Sequence, residues 1–192
     1  MMKDGTLVFP AQYKDADRVP HSTLIYSKDE GQSWRIGTGV RRETTEAQLV
    51  ELADGSLMIN CRNNEARNAK GVGRVVATTQ DLGATWQFHN TNIHTLEEPT
   101  CMASLVNETF DGQQLLLFSN PNAHDGRYNM TIKISMDEGD TWPEAHWLLL
   151  DEGTGRGYSC MTKIDEKTFG ILYEGSQADL IFQRISVADM VN

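Results

Sequence analysis

The chain has 192 residues, which is the length of one domain or of part of a larger one. Its 17 Lys and Arg against 27 Asp and Glu give a formal net charge of −10, which disfavours binding to nucleic acid or to anionic lipid surfaces. Hydrophobic residues make up 39% of the chain, enough for a packed core, and no apolar run approaches the roughly 20 residues of a membrane-spanning helix. The first ten residues lack the apolar stretch of a secretion signal, so an exported protein would carry its signal upstream of them.

Short apolar or alternating segments predict β-strands along the whole chain. They lie at 6–9, 22–26, 56–60, 73–77, 114–118, 130–134 and 169–173. Turn-forming residues bound most of them, at 4–5, 54–55, 111–112 and 165–167. Helical character is confined to a weak and short stretch. The sequence therefore predicts an all-β fold.

Three segments share the pattern Ser/Thr-x-Asp-x-Gly-x-Ser/Thr-Trp, at 27–34, 79–86 and 135–142. They recur about every 50 residues, a spacing typical of one four-stranded β-propeller blade. The Asp and the hydroxyl side chains can cap turn amides, the Gly supplies a positive φ, and the Trp supplies a large apolar surface. A device repeated in every blade is typical of scaffold, so we interpret these segments as structural turns.

This repeat is the Asp-box, or bacterial neuraminidase repeat, and further segments resemble bacterial exo-α-sialidases, in particular those of the Bacteroides type. The resemblance runs from about residue 4 to the C-terminus, and its motifs lie at 5–13, 45–52, 60–62, 98–105, 157–161 and 170–175. It implies a six-bladed β-propeller, of which this chain supplies about three to four blades. It also implies a retaining glycoside hydrolase that releases terminal sialic acid from glycoproteins, glycolipids and oligosaccharides.

Sialic acid carries a carboxylate on its anomeric carbon, which repels a carboxylate nucleophile. Sialidases are known to use a tyrosine instead, whose proton a nearby carboxylate accepts. The resemblance places the nucleophile at Tyr158 and the base at Glu46. It places two of the three arginines that clamp the substrate carboxylate at Arg62 and Arg127, because a guanidinium matches a carboxylate in bidentate geometry. Gln12 lies in a stretch that in the family approaches the glycerol or acetamido side of the sugar.

Glu46 and Arg62 are separated by a single Asp-Gly turn, so we expect them on neighbouring strands. Glu98 lies in a family-like motif, and we expect it to serve a structural role or to support the residues that contact substrate, in preference to catalysis. The other arginines outside the matched motifs are expected on the surface: Arg41, Arg42, Arg67, Arg74 and Arg156.

The cysteines form neither a disulfide framework nor a zinc pattern, and we expect Cys61, Cys101 and Cys160 to be buried free thiols. The five histidines show no ligand spacing, so the sequence implies no metal and no other cofactor.

The chain departs from the family in two respects. It contains no Arg-Ile-Pro motif for the first clamp arginine, since Arg35-Ile36 continues to Gly37, and it lacks the Asp that acts as general acid and base. We therefore expect residues 1–192 to form the C-terminal portion of a single catalytic propeller. The expected partners are sialylated glycans, and either the missing N-terminal half of the propeller or a second copy of the chain. The resemblance implies an extracellular or periplasmic location for the intact family member.

Three alternatives stay open at this point. The chain is a non-catalytic module that binds sialosides or serves in assembly, an Asp-box propeller with a scaffold role only, or part of a trans-sialidase that shares the same catalytic residues.

Overall fold

The computed structural model describes residues 1–67, 69–177 and 179–191. Its strands, in chain order, are β1 (Leu7–Lys14), β2 (Pro20–Ser27), β3 (Arg35–Ile36), β4 (Thr44–Glu51), β5 (Leu57–Asn63), β6 (Val75–Thr79), β7 (Gln87–Phe88), β8 (Ser104–Phe110), β9 (Gln113–Pro121), β10 (Met130–Ser135), β11 (Trp147–Asp151), β12 (Ser159–Lys163), β13 (Thr168–Glu174) and β14 (Leu180–Ser186). Two 3₁₀ turns, Asn64–Ala66 and Glu144–His146, and the short helix α1 (Ala188–Val191) complete the secondary structure. None of the described helices is long and apolar enough to cross a membrane.

The strands form four antiparallel sheets, each of which follows chain order. Blade 1 contains β1–β3, blade 2 contains β4–β7, blade 3 contains β8–β11 and blade 4 contains β12–β14. The structure thus confirms the all-β prediction and the blade-like organisation. Every strand segment predicted from sequence coincides at least in part with a strand. The first strands of blades 2, 3 and 4 and the last strand of every blade had not been predicted as strands.

The core lies between the sheets, because successive side chains of a strand point to opposite faces. On β5, Met58 joins a buried cluster with Leu116 and Phe118 of blade 3, whereas its neighbour Ile59 joins a second cluster with Val40 on the opposite face, towards blade 1. A third cluster packs blade 3 against blade 4. Each inner blade therefore buries apolar side chains on both of its faces.

The outward faces of the first and last blades are open. In blade 1 this face exposes Phe9, Tyr13, Trp34 and Ile36, and in blade 4 it exposes Ile164, Leu172, Leu180 and Phe182. One expectation fails here: Cys160 is exposed, because its cross-strand neighbours Leu172 and Phe182 belong to the open face. Trp34 of the first Asp-box lies on the open face of blade 1, stacked on Phe9, and is 43% exposed for the same reason.

The Asp-boxes connect β2 to β3, β6 to β7 and β10 to β11, and all three make the same hydrogen bonds. In the first, the Asp29 carboxylate accepts from the backbone amide and the hydroxyl of Ser33 at 2.9 and 2.5 Å and from Ser27 at 2.7 Å. The Ser27 hydroxyl accepts from the amide of Gly31, which has a φ of 86°. These bonds lower the pKa of Asp29 to about 2. The Asp29 carboxylate thus makes its hydrogen bonds within its own turn.

Arg74 contradicts the expectation that it lies on the surface. Its side chain is fully buried, donates to Glu98 at 2.7 Å and to the Cys101 carbonyl at 2.6 Å, and also donates to Asn60 at 2.6 Å. Glu98, also fully buried, accepts in addition from the backbone amides of Asn63 and Cys101. The pair is a structural link between the second strand of blade 2 and the segment that leads into blade 3. Arg42, Arg67 and Arg156 are exposed and Arg41 is half-buried.

Lys133 of blade 3 is buried without an ion pair among the described residues. Its ammonium donates to Asn122 at 2.8 Å and lies 4.4 Å from the ring centroid of Trp147. Burial lowers the pKa of Lys133 to about 7, because the charged form is poorly solvated there.

This burial predicts a pH-dependent stability. Above pH 7 the unfolded chain binds a proton on Lys133 that the native chain does not, so the free energy of unfolding should rise with pH up to about 10.4, by as much as about 1.4 kcal/mol per pH unit. Urea unfolding of wild type and Lys133→Met across this range measures the effect, and the difference between the two curves removes the other titrating groups. Lys14→Met, at an exposed position of β1, serves as the control and should keep the rise. Parallel curves for wild type and Lys133→Met would contradict the argument.

Candidate active site

Four of the residues singled out from sequence lie at equivalent ends of strands in blades 2, 3 and 4. Glu46 is near the start of β4, Arg62 near the end of β5, Arg127 just before β10 and Tyr158 just before β12. Because neighbouring strands run in opposite directions, the start of a blade's first strand, the end of its second and the start of its third share one end of the stack. We call this the site end. The Asp-boxes follow the next-to-last strands of blades 1, 2 and 3, namely β2, β6 and β10, and lie at the opposite end.

Tyr158 and Glu46 are in direct contact although 112 positions separate them in the chain. The phenol Oη of Tyr158 donates to Glu46 Oε1 at 2.5 Å, and the other carboxylate oxygen accepts from Arg62 Nη1 at 2.9 Å. Arg62 also donates from Nε to Asn64 at 3.0 Å. Glu46 and Arg62 lie on neighbouring strands, with Thr45 paired to Arg62, as the Asp-Gly turn predicted. The side chain of Glu46 is 29% exposed and Tyr158 is 36% exposed, so both can be reached from solvent.

The guanidinium of Arg127 is held by backbone carbonyls. It donates from Nη1 to the carbonyl of Arg156 and from Nη2 to that of Thr100, both at 2.8 Å, and it lies 5.7 Å from the ring centroid of Tyr158. None of the ion pairs among the described residues includes Arg127. Its charge therefore faces the site while its orientation is fixed by neutral acceptors.

Gln12 lies in the same network, though its contact is with the protein. Its side-chain Oε1 accepts from the backbone amide of Glu46 at 3.0 Å. The structure thus connects all five residues selected from sequence: Gln12, Glu46, Arg62, Arg127 and Tyr158.

Residues that had not been assigned to the site fix the backbone of Tyr158. The carboxylate of Glu174 accepts from the Tyr158 amide at 3.1 Å, and the thiol of Cys101 donates to the carbonyl of Gly157 at 3.3 Å. Gly157 has a φ of 87°, and a Cβ there would lie 2.8 Å from Pro121, so a side chain has neither the conformation nor the space. Burial raises the pKa of Cys101 to about 11, which makes it a packing group and not a nucleophile. Of the residues that fix this backbone, Glu174, Cys101 and Gly157 lie within motifs that carried the family resemblance, whereas Pro121 does not.

The electrostatics of the pair favour a neutral phenol and an ionised carboxylate. The hydrogen bond to Glu46 raises the pKa of Tyr158, and burial adds to the effect. Burial alone would raise the pKa of Glu46, but hydrogen bonds from Tyr158 and Arg62 and the charges of Arg62 and Arg127 outweigh it and lower this pKa. The resting tyrosine is therefore not a preformed phenolate.

Residues 1–171 match the family described as BNR repeat-like domain. The chain is 49% identical over 194 aligned residues to a sialidase of Bacteroides fragilis, covering 99% of this chain and 35% of that protein. It is 33% identical over 156 residues to a sialidase of Micromonospora viridifaciens, covering 78% of this chain and 23% of that protein. Among solved structures it superimposes on the Hadza microbial sialidase Hz136 with a TM-score of 0.92 at 50% identity, over 100% of this chain and 37% of that one. The chain thus spans between 23% and 37% of the length of these relatives.

The contact between Tyr158 and Glu46 predicts the ionisation of the tyrosine. In Glu46→Gln the negative charge is lost, so the pKa of Tyr158 should fall towards its ordinary value. Tyrosinate absorbance recorded from about pH 8 to about pH 12, with the curve of the matching Tyr158→Phe chain subtracted, isolates this one residue from the five tyrosines. Glu51→Gln, at the far end of the same strand, is the control and should leave the titration unchanged. Equal Tyr158 titrations in wild type and Glu46→Gln would show that the two groups do not interact in solution.

Proposed function

The chain belongs to the family of bacterial BNR-repeat sialidases, and on that premise we propose that it supplies the nucleophile, the base and part of the substrate-binding site of a retaining exo-α-sialidase. The substrates are glycoconjugates with terminal sialic acid. The observation that carries the proposal is the 2.5 Å hydrogen bond from Tyr158 to Glu46 beside two arginines. A tyrosine nucleophile whose proton is accepted by a protein carboxylate suits a sugar that itself carries a carboxylate, since that group would repel a carboxylate nucleophile.

In the first step the Tyr158 oxygen forms a bond to the anomeric carbon while its proton passes to Glu46 Oε1. The glycosidic bond breaks, and the leaving oxygen takes a proton from a general acid. In the second step water attacks the anomeric carbon and gives a proton to the general acid deprotonated in the first step, the bond to Tyr158 breaks, and Glu46 returns its proton to the phenolate. Two displacements retain the configuration of the sugar. The general acid of the family has no counterpart in this sequence.

Arg62 and Arg127 are suited to hold the substrate carboxylate. Arg127 is oriented by two carbonyls that leave its charge uncompensated, and Arg62 makes one bond to Glu46 and one to Asn64. The remaining N–H groups can donate to the carboxylate in the geometry that guanidinium groups favour. We infer that the two side chains place the anomeric carbon next to Tyr158.

The open outer faces support the view that this chain is the C-terminal portion of a larger propeller. Between blades 1 and 4 every inner face is covered by the next blade, whereas the outer faces expose large apolar side chains. The relatives contain nearly two further thirds of sequence that this chain does not match. We infer that further blades of the same kind cover the two faces and supply the remaining arginine and the acid. Because sialylated glycans occur outside the cytoplasm, we infer an extracellular or periplasmic location for the intact protein.

A sialoside-binding module without turnover is the second candidate. It is favoured because this sequence lacks both the Arg-Ile-Pro motif and the Asp that acts as general acid and base in the family. The two candidates differ in one respect, since a binding module requires the arginines but not the proton transfer from Tyr158.

Hydrolysis of a fluorogenic α-sialoside tests the proposal. We expect little turnover by the chain alone and restored turnover when the N-terminal region of the Bacteroides fragilis relative is added. In the restored enzyme, Glu46→Gln should lower kcat by about a hundredfold or more, the usual contribution of a general base. Tyr158→Phe should abolish turnover while sialoside binding persists. Glu51→Gln is the matched control and should match the unaltered chain. Full turnover by Tyr158→Phe would overturn the assignment, and binding without turnover in every combination would favour the second candidate.

A further inference from the structure

The backbone of Glu46 has a conformation that needs support. Its φ is 42°, in the left-handed region that residues with a side chain adopt reluctantly. The pairing of β4 with β5 shifts register between Thr45 and Gln48, so that Glu46 has no cross-strand partner in β5. Such a bulge leaves the amide of the extra residue outside the hydrogen-bond ladder of the sheet.

The missing partner comes from the neighbouring blade. Gln12 lies near the end of β1, on the face that also carries Val8 and Pro10 and that looks towards blade 2. Its Oε1 accepts from the Glu46 amide at 3.0 Å. Since only the oxygen of the side-chain amide can accept from an N–H, this bond also fixes the orientation of the Gln12 amide group.

The direction of the Glu46 side chain depends on this bond. The amide hydrogen bond fixes the peptide plane that precedes Glu46, and with it the φ that sets the direction of the Cα–Cβ bond. The carboxylate must lie between Tyr158 at 2.5 Å and Arg62 at 2.9 Å, so a modest rotation of the backbone would break at least one of the two contacts.

We propose that Gln12 is a positioning residue, which holds the Glu46 backbone in its left-handed bulge so that the carboxylate stays aligned with Tyr158 and Arg62. The significance of this role rests on the proposed function, in which Glu46 is the base. The alignment itself is a property of the chain and can be measured without substrate.

The test compares Gln12→Leu, which removes the acceptor, with Gln12→Glu, which keeps it. In Gln12→Leu, hydrogen exchange of the Glu46 amide, followed by NMR, should become roughly 2- to 10-fold faster, the range that corresponds to the loss of one hydrogen bond. The Tyr158 titration, with the matching Tyr158→Phe curve subtracted, should shift downward towards that of Glu46→Gln. Gln12→Glu should keep the slow exchange. Gln113→Leu, at the exposed start of β9, should change neither quantity.

Gln12→Asn provides a second variant, since its shorter side chain keeps polarity but cannot span the same distance, and it should behave like Gln12→Leu. The proposal is wrong if Gln12→Leu and Gln12→Asn both retain wild-type exchange at Glu46 and the wild-type Tyr158 titration. A failure of the proposed function has a different signature: full turnover by Glu46→Gln in the restored enzyme, while exchange and titration still respond to Gln12. The two failures are therefore distinguishable.

Discussion

The constraint on which the structure depends is that the apolar faces of each sheet must be covered by the next sheet. Met58 and Ile59 point to opposite sides of β5, and each is buried only because a blade stands on its side. Sheets stacked in this way bring equivalent strand ends together. Tyr158 and Glu46 meet across 112 positions for this reason and without any local sequence relation. The contact between Tyr158 and Glu46, the proposed nucleophile and base, is thus a consequence of packing between blades.

Left-handed backbone occurs at both ends of the stack. At the Asp-box end, each box contains two successive residues with positive φ, namely Glu30, Leu82 or Glu138 and the glycine that follows it, and the acidic side chain is satisfied within its own turn. At the site end, positive φ falls on Glu46 and Thr100, residues that would not choose this conformation in isolation. There the Glu46 amide donates to Gln12, and the Thr100 carbonyl accepts from Arg127. The strained residues of the site end therefore lie where its side chains converge.

Sequence was sufficient for the all-β class, for half of the strands and for the neighbourhood of Glu46 and Arg62, because these follow from local patterns: alternation and a single Asp-Gly turn. It failed where burial depends on a remote partner. Arg74 carries no local sign that Glu98 will neutralise it in the core, and Cys160 lies on a strand whose outer face is open. The first strand of blade 2, with its sequence TTEAQLVE, was missed because its mixed polarity reflects a bulge and a site in place of simple alternation. Gln12 was identified as a site residue, yet its contact with a backbone amide could not be read from residue type.

The arrangement also explains why a base with a lowered pKa can serve the proposed reaction. Burial is the strongest influence on the Glu46 pKa and acts to raise it, but Tyr158, Arg62 and Arg127 together outweigh it. Once Arg62 and Arg127 hold the carboxylate of a sialoside, as proposed, that new negative charge offsets their positive charge. The pKa of Glu46 then rises, so that Glu46 becomes more basic when the anomeric carbon lies beside Tyr158. Because Arg62 contacts Glu46 directly, the side chain proposed to recognise the substrate would also keep the pKa of the proposed base low until substrate is bound.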